Sequence, residues 1–176
     1  MSPRVGILAV ALLAIVVGPV AGAGAQSEPR DPSRRTVSDS ELLWATVNVC
    51  DTEKHPDTIG VRGSMPGARD GREMMWMRFQ VQYFSPADGR WHQVRSGGDS
   101  GFVRVGRARF EARQSGRSFR FAPRSRSVLL RGVVTFEWRR SGEVVRRARK
   151  RTTADHRSSA GADPENHSAS NCTIRT

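Results

Sequence analysis

The residues with chemistry to offer fall into four groups. Gly98-Asp99-Ser100-Gly101 supplies a hydroxyl in a glycine-rich turn, and Thr153-Ala154-Asp155-His156 supplies an imidazole beside a carboxylate. A serine nucleophile needs a base and an orienting acid of these types, in any chain order. Asp51, Glu53, His55 and Asp57 alternate along one short segment and carry oxygen and nitrogen donors of the kind that hold a divalent cation. Arg139, Arg140, Arg146, Arg147, Arg149, Lys150 and Arg151 crowd a single stretch in which Glu143 is the one acidic residue. The fourth group is the pair of cysteines, Cys50 and Cys172.

Composition weighs these groups unequally. The 176-residue chain carries 29 Lys+Arg against 17 Asp+Glu, a formal charge of +12, and only Lys54 and Lys150 are lysines. A basic balance of this size favours anionic partners through screened Coulomb attraction. The Gly98–Gly101 segment has the composition of an ordinary turn, and the Asp51–Asp57 segment that of a solvated loop. Neither a catalytic residue nor a metal site is therefore assigned, no cofactor is expected, and the chain reads as a non-enzymatic binding or structural module. The two cysteines are too few for a four-cysteine zinc site, and neither has a histidine at ligand spacing.

The N-terminus sets the compartment. Arg4 precedes an uninterrupted apolar or small run from Val5 to Ala25, greasiest between Ile7 and Val17. Pro19 breaks that run, and Ala21-Gly22-Ala23 and Ala23-Gly24-Ala25 offer the small-x-small pattern of signal-peptidase cleavage. Residues 1–25 thus read as a signal peptide, 26–40 as a polar, proline-containing disordered leader, and 41–176 as the folded domain, with no stable membrane span after cleavage. The expected location is secreted or attached to the cell envelope. Outside the cytoplasm two thiols become one disulfide, so Cys50 is expected to pair with Cys172 and tie the first strand to the C-terminal tail.

The elements that must position these groups read as strands. Leu42–Cys50 alternates Leu43, Ala45, Val47 and Val49 against Trp44, Thr46 and Asn48, and Thr58–Ser64 follows with Ile59 and Val61. Met75, Met77, Phe79, Val81 and Tyr83 share one face of a third strand, with Arg78, Gln80 and Gln82 on the other. That period of two marks a strand half-buried in a core. Ser85–Gly89 turns into Trp91–Val94, Arg95–Gly101 reads as a loop, and Phe102–Val105 and Ser118–Ala122 as short strands. Val128–Trp138 places Val128, Leu130, Val134, Phe136 and Trp138 inward. Ser141-Gly142 then returns the chain through Glu143–Thr152, beyond which it is polar and irregular. Seven or eight antiparallel strands in a domain of this size suggest a two-sheet sandwich, with a barrel as the rival architecture.

Two features follow from that frame. A Glu143–Thr152 strand that is basic on both faces must lie at an edge, because burying unpaired charge is too costly. As an anion-binding strip it would take an anionic cell-envelope polymer or phospholipid headgroups. Nucleic acid is not expected, since no aromatic residues interleave with the strip as stacking platforms. Another surface protein is the remaining kind of partner. Of the tryptophans, Trp138 belongs with the core, whereas Trp44 and Trp76 lie on faces opposite the apolar rows.

The run Ala45-Thr46-Val47-Asn48-Val49-Cys50-Asp51 and Gly60-Val61-Arg62-Gly63-Ser64-Met65-Pro66-Gly67 resembles the opening of small exported actinobacterial proteins of unknown function. Leu130–Trp138 and the late Asp163-Pro164, Ser168 and Cys172 extend the likeness over most of the chain after residue 41. The resemblance implies an immunoglobulin-like β-sandwich with a terminal disulfide, and brings no catalytic residues. The Gly98–Gly101 turn itself looks like the nucleophile loop of trypsin-like serine proteases. That family places its histidine before the serine and needs two barrels, so a hydrolase remains the least favoured reading.

Overall fold

In a computed structural model, residues 40–122, 125–156 and 159–175 are described. The proposed signal peptide and nearly all of the proposed leader lie outside them. Among the described residues there are nine strands and no helix: β1 (Trp44–Cys50), β2 (Thr58–Pro66), β3 (Met74–Ser85), β4 (Arg90–Gln93), β5 (Asp99–Arg107), β6 (Ala112–Arg120), β7 (Val128–Arg140), β8 (Glu143–Arg151) and β9 (Cys172–Ile174). All strand pairs are antiparallel, in a three-stranded sheet β1-β2-β6 and a six-stranded sheet built on β4-β3-β7-β8.

The larger sheet is four strands wide, although it contains six. β3 has 12 residues and β7 has 13, and each is longer than the strands on its outer side. β5 pairs with the first part of β3 and β4 with its end, while β8 pairs with most of β7 and β9 with its start. Both edges are thus assembled from two short strands laid end to end. Short edge strands leave little continuous unpaired backbone for another chain to join.

Alternation in β3 is what the sequence demands. Met75, Met77, Phe79 and Val81 have no exposed surface, while the residues between them are half-exposed. Tyr83, the next expected core position, is instead 38 % exposed, because β3 runs on past the core to the open end of the sandwich. On β7, Val134, Phe136 and Trp138 are fully buried, and these residues meet Ile59, Val61 and Met65 of β2 in one core shared by the two sheets. Gly132 marks the closest approach. A Cβ there would sit 2.7 Å from both Val61 Cγ1 and Thr152 Cγ2, so only glycine lets the sheets and the following segment close. The β7–β8 hairpin turns on Ser141 and Gly142, both at positive φ (51° and 92°), the two-residue geometry that suits the twist of the paired strands.

Four expectations need correction. Seven or eight strands become nine, because Cys172–Ile174 adds a short strand along β7. The loop expected through Gly101 ends earlier, and β5 starts at Asp99. The strand expected at Ser118–Ala122 is β6, which begins at Ala112. Polar Arg113, Gln114, Ser115 and Arg117 hide that strand from apolar periodicity, yet all nine of its residues pair with β2. The fourth correction concerns β1, which is buried on both faces rather than one.

Residues 152–156 and 159–171 cause that double burial. This strap exchanges backbone hydrogen bonds between Val47 and Ala169 (2.9 and 3.0 Å), and the Asp163 amide donates to the Asn48 carbonyl (2.9 Å). Pairing is interrupted by a bulge between Val47 and Val49. Within it, the Asn48 amide donates to the carbonyls of Ala160 (3.2 Å) and Gly161 (2.9 Å). Thr46 meets Ser168 at 2.7 Å, and the Thr152 hydroxyl donates to the Ser170 carbonyl at 2.5 Å. Polar side chains on the outer face of β1 are therefore satisfied by backbone of the strap, as burial requires. The strap ends in the Cys50–Cys172 disulfide, which spans 122 residues and joins β1 to β9 as expected.

Candidate anion-binding face

β8 forms an edge of the larger sheet, where its charge requires it to be. Four of the seven basic residues that the sequence singles out are nevertheless held by carboxylates. Arg139 and Arg147 clamp Glu137 at 2.6 Å each, and the Glu137 side chain is only 1 % exposed. Arg140 reaches Asp70 (2.5 Å) and Glu73 (3.1 Å), and Arg146 reaches Glu73 (3.3 Å). Arg146 also lies over the Trp138 ring at 4.9 Å. The charges are relieved by Glu137, Glu73 and Asp70, in addition to the Glu143 visible within the hairpin.

Arg149 and Arg151 have no carboxylate partner among the described residues. Register explains what they meet instead. Arg151 pairs with Val133 and Arg149 with Thr135, which puts both on the outer face of the sheet with Arg131 of β7. Diagonal neighbours on one face of an antiparallel pair lie about 7–8 Å apart, within reach of long side chains. Arg131 is anchored by donating to Gln82 Oε1 (2.9 Å), and its guanidinium lies 4.2 Å above the Trp91 ring. Burial lowers the pKa of Arg131, and the charges of Arg151 and Arg149 lower it further. Arg131, Arg149 and Arg151 therefore share one face, with no carboxylate partner for Arg149 or Arg151 among the described residues.

The imbalance extends over the whole outer face. Register through β5, β3, β7 and β8 places Arg78, Arg104, Arg107, Arg131, Arg139, Arg147, Arg149 and Arg151 on it, against Asp99 and Glu137. Aromatic rings lie beneath several of these cations: Trp76 under Arg139 (4.8 Å) and Phe102 under Arg139 (4.9 Å) and Arg78 (5.9 Å). This stacking adds to the carboxylate contacts that already fix Arg139 on Glu137 and Arg78 on Asp99. At the far end, Asp99 binds Arg78, Gln80 and the Gly101 amide, and these contacts, Arg78 foremost, hold its carboxyl below the usual range.

Sequence inspection misses Arg131 and Glu137 because each sits inside a strand read for its apolar face. The signal was present in their parity, since both alternate with core residues of Val128–Trp138 and so must point outward. Asp70 and Glu73 carry no comparable signal, for they reach the hairpin from a loop about 70 residues away in the chain.

The other candidate residues are not brought together. The Ser100 hydroxyl accepts from the Phe79 amide (2.9 Å) and donates to the Gly101 carbonyl (2.7 Å) at the β3–β5 edge. His156 lies in the strap, stacked on Trp44 of β1 with ring centroids 4.6 Å apart. Asp51 accepts from the amides of Asp57 (2.8 Å) and Arg175 (2.9 Å), and His55 faces Asp163 at 4.0 Å. Among the described residues no group of three or more His, Cys, Asp or Glu converges as metal ligands.

His156 does make a pH-dependent contact. Burial against Trp44 holds its imidazole below the ordinary value of about 6.5, and the Asp155 charge opposes that shift only in part. The unfolded chain then binds the proton first, so this contribution to stability is full above about pH 6.5 and declines as pH falls toward the lowered folded value. Thermal melts between pH 7.5 and 5 are expected to show a declining midpoint, and His156→Gln should remove part of that slope. An unchanged slope in the variant would assign the dependence to other groups.

Comparison with known protein families, curated proteins and solved structures finds no match for this chain. Among the described residues no helix is long and apolar enough to cross a membrane, and the disulfide is compatible with an extracellular location.

Proposed function

We propose that this chain is an exported, non-enzymatic binding module whose outer sheet face holds an anionic cell-envelope polymer. The immunoglobulin-like reading of the sandwich belongs to the same proposal, with the strapped and disulfide-closed sheets acting as a durable scaffold. The observation that carries it is the Arg131–Arg149–Arg151 group, three cations on one rigid face with no carboxylate among the described residues to neutralise them. Like charges held together raise the energy of the free protein, and a polyvalent anion relieves that repulsion on binding. Around them, Arg78, Arg104, Arg107, Arg139 and Arg147 extend a positive field over the face, which suits an extended polyanion better than a single small ion.

The test compares two charge-matched triple variants by titration with soluble poly(glycerol phosphate). Arg131, Arg149 and Arg151→Ala removes the convergent group. Arg109, Arg117 and Arg120→Ala removes exposed arginines elsewhere. Three screened contacts at about 0.5–1 kcal/mol each predict a loss of roughly 10–100-fold for the first triple at low salt. Wild-type affinity should also fall steeply as salt rises. Equal losses in both triples would mean that net charge alone attracts the polymer, and the site would be withdrawn.

A further inference from the structure

The open end of the sandwich contains a second feature, separate from the arginine face. A cleft of about 930 Å³ lies between the β3–β4 hairpin, the start of β7, the residues after β6 and the C-terminal strand. Its volume is in the range of small-molecule sites, about 300–1,000 Å³. Leu130, Val94, Phe121 and Ile174 line it, and the last three of these are partly exposed side chains packed against the core. The cleft is therefore an opening onto the apolar interior, not a dent in a polar surface. None of the arginines of the outer sheet face lines it.

Its electrostatics have one sign. Arg95, Arg126 and Arg175 line the cleft, and among the described residues no aspartate or glutamate does. Arg95, Arg126 and Arg175 are all exposed, so the positive charge sits at the mouth while the apolar groups sit inside. A ligand that satisfies both parts has an apolar tail and an anionic head. An uncharged hydrocarbon would leave the guanidinium groups without a partner, and a compact polar anion would leave the apolar lining in water, at about 25 cal/mol for each Å² not covered.

We propose that this cleft binds a single-chain anionic amphiphile, of the fatty-acid type, with its carboxylate among Arg95, Arg126 and Arg175 and its chain against Leu130, Val94, Phe121 and Ile174. The carboxylate accepts charge-assisted hydrogen bonds, for which arginine is well suited. The chain completes the core at the end where Tyr83 is left exposed.

The probe is 11-(dansylamino)undecanoic acid, titrated into the full-length chain and followed by dansyl emission. Saturable, blue-shifted emission is expected, displaced by hexadecanoate at least tenfold more effectively than by hexadecanol. Ser127→Trp fills the mouth from an exposed position, and it should abolish the signal while leaving the melting temperature unchanged. Should that variant unfold, Arg95→Glu with Arg126→Glu serves instead, and it should weaken the probe at least tenfold. Several results would overturn the proposal. No saturable signal would do so, as would equal displacement by acid and alcohol. Binding insensitive to both variants would place the probe elsewhere, such as on the apolar run 5–25. A signal that falls as protein concentration rises would make a second copy of the chain the occupant.

Discussion

Replacing Cys50 and Cys172 together by serine lowers the stability of the domain by about 4–5 kcal/mol, the entropy of closing a loop of 100 or more residues in the unfolded chain. Domains of this kind have roughly 5–15 kcal/mol in total, so the double variant sits near its unfolding threshold. The loss does not stay in the unfolded state. The bond fastens the end of the strap that supplies partners to Thr46, Val47 and Asn48. Releasing residue 172 should therefore speed amide exchange at Asp163, Ala169 and Val47 before the remainder of the core. Trp44 should report the same event, because its stacking on His156 depends on the strap. Guanidinium chloride unfolding of the oxidised protein and the double variant measures the difference directly. A loss below about 1 kcal/mol would show that the strap holds by its hydrogen bonds alone.

Trp138→Ala is expected to cost about 4–5 kcal/mol, at the upper end of the range for deleting a buried aromatic side chain. Trp138 has no exposed surface and is the largest fully buried side chain among the described residues. Its indole N–H donates to the Pro66 carbonyl at 3.0 Å, which ties the end of β2 to β7 across the two sheets. Alanine would remove the ring and the hydrogen bond it donates, adding a polar loss to the cavity. It would also remove the surface on which Arg146 rests. Trp138→Phe separates the contributions: it retains most of the packing, loses the N–H bond, and should cost about 1–2 kcal/mol. Chemical denaturation of both variants checks the order, and equal costs would mean that the hydrogen bond, not ring volume, dominates.

Trp138 also shows how much of the fold is written in local pattern. It falls on the inward row of Val128–Trp138 by parity alone, and the structure buries it completely. The same holds for Met75 through Val81. Parity fails at Tyr83, which continues the row beyond the end of the core, and for β6, whose pairing with β2 places Arg113, Ser115 and Arg117 in a strand with little apolar content. A strand held by backbone ladder bonds on one side of a sheet needs few apolar residues, so periodicity has nothing to detect there. β1 illustrates the converse. Thr46 and Asn48 look like solvent-facing residues of an alternating strand, but a strap more than 100 residues downstream covers them.

The candidate site divides in the same way. That Glu143–Arg151 must occupy an edge follows from charge alone. Which of its arginines remain available does not. Glu73 captures Arg146 across 73 residues of chain, and Glu137 is shared by Arg139 and Arg147. The outcome is that Arg149 and Arg151, with the unsuspected Arg131, are left to face one another.

The positions of β3, β7 and β8, the inward rows of β3 and β7, the Ser141-Gly142 turn and the pairing of the only two cysteines were set by residue type and spacing, because side-chain alternation and turn geometry act within a few residues. Neutralisation of half the basic hairpin, double burial of β1 and the cleft at the open end were decided by the tertiary structure. Those depend on which strand lies beside which and in what register, and a slip of one residue would send every side chain of a strand to the opposite face.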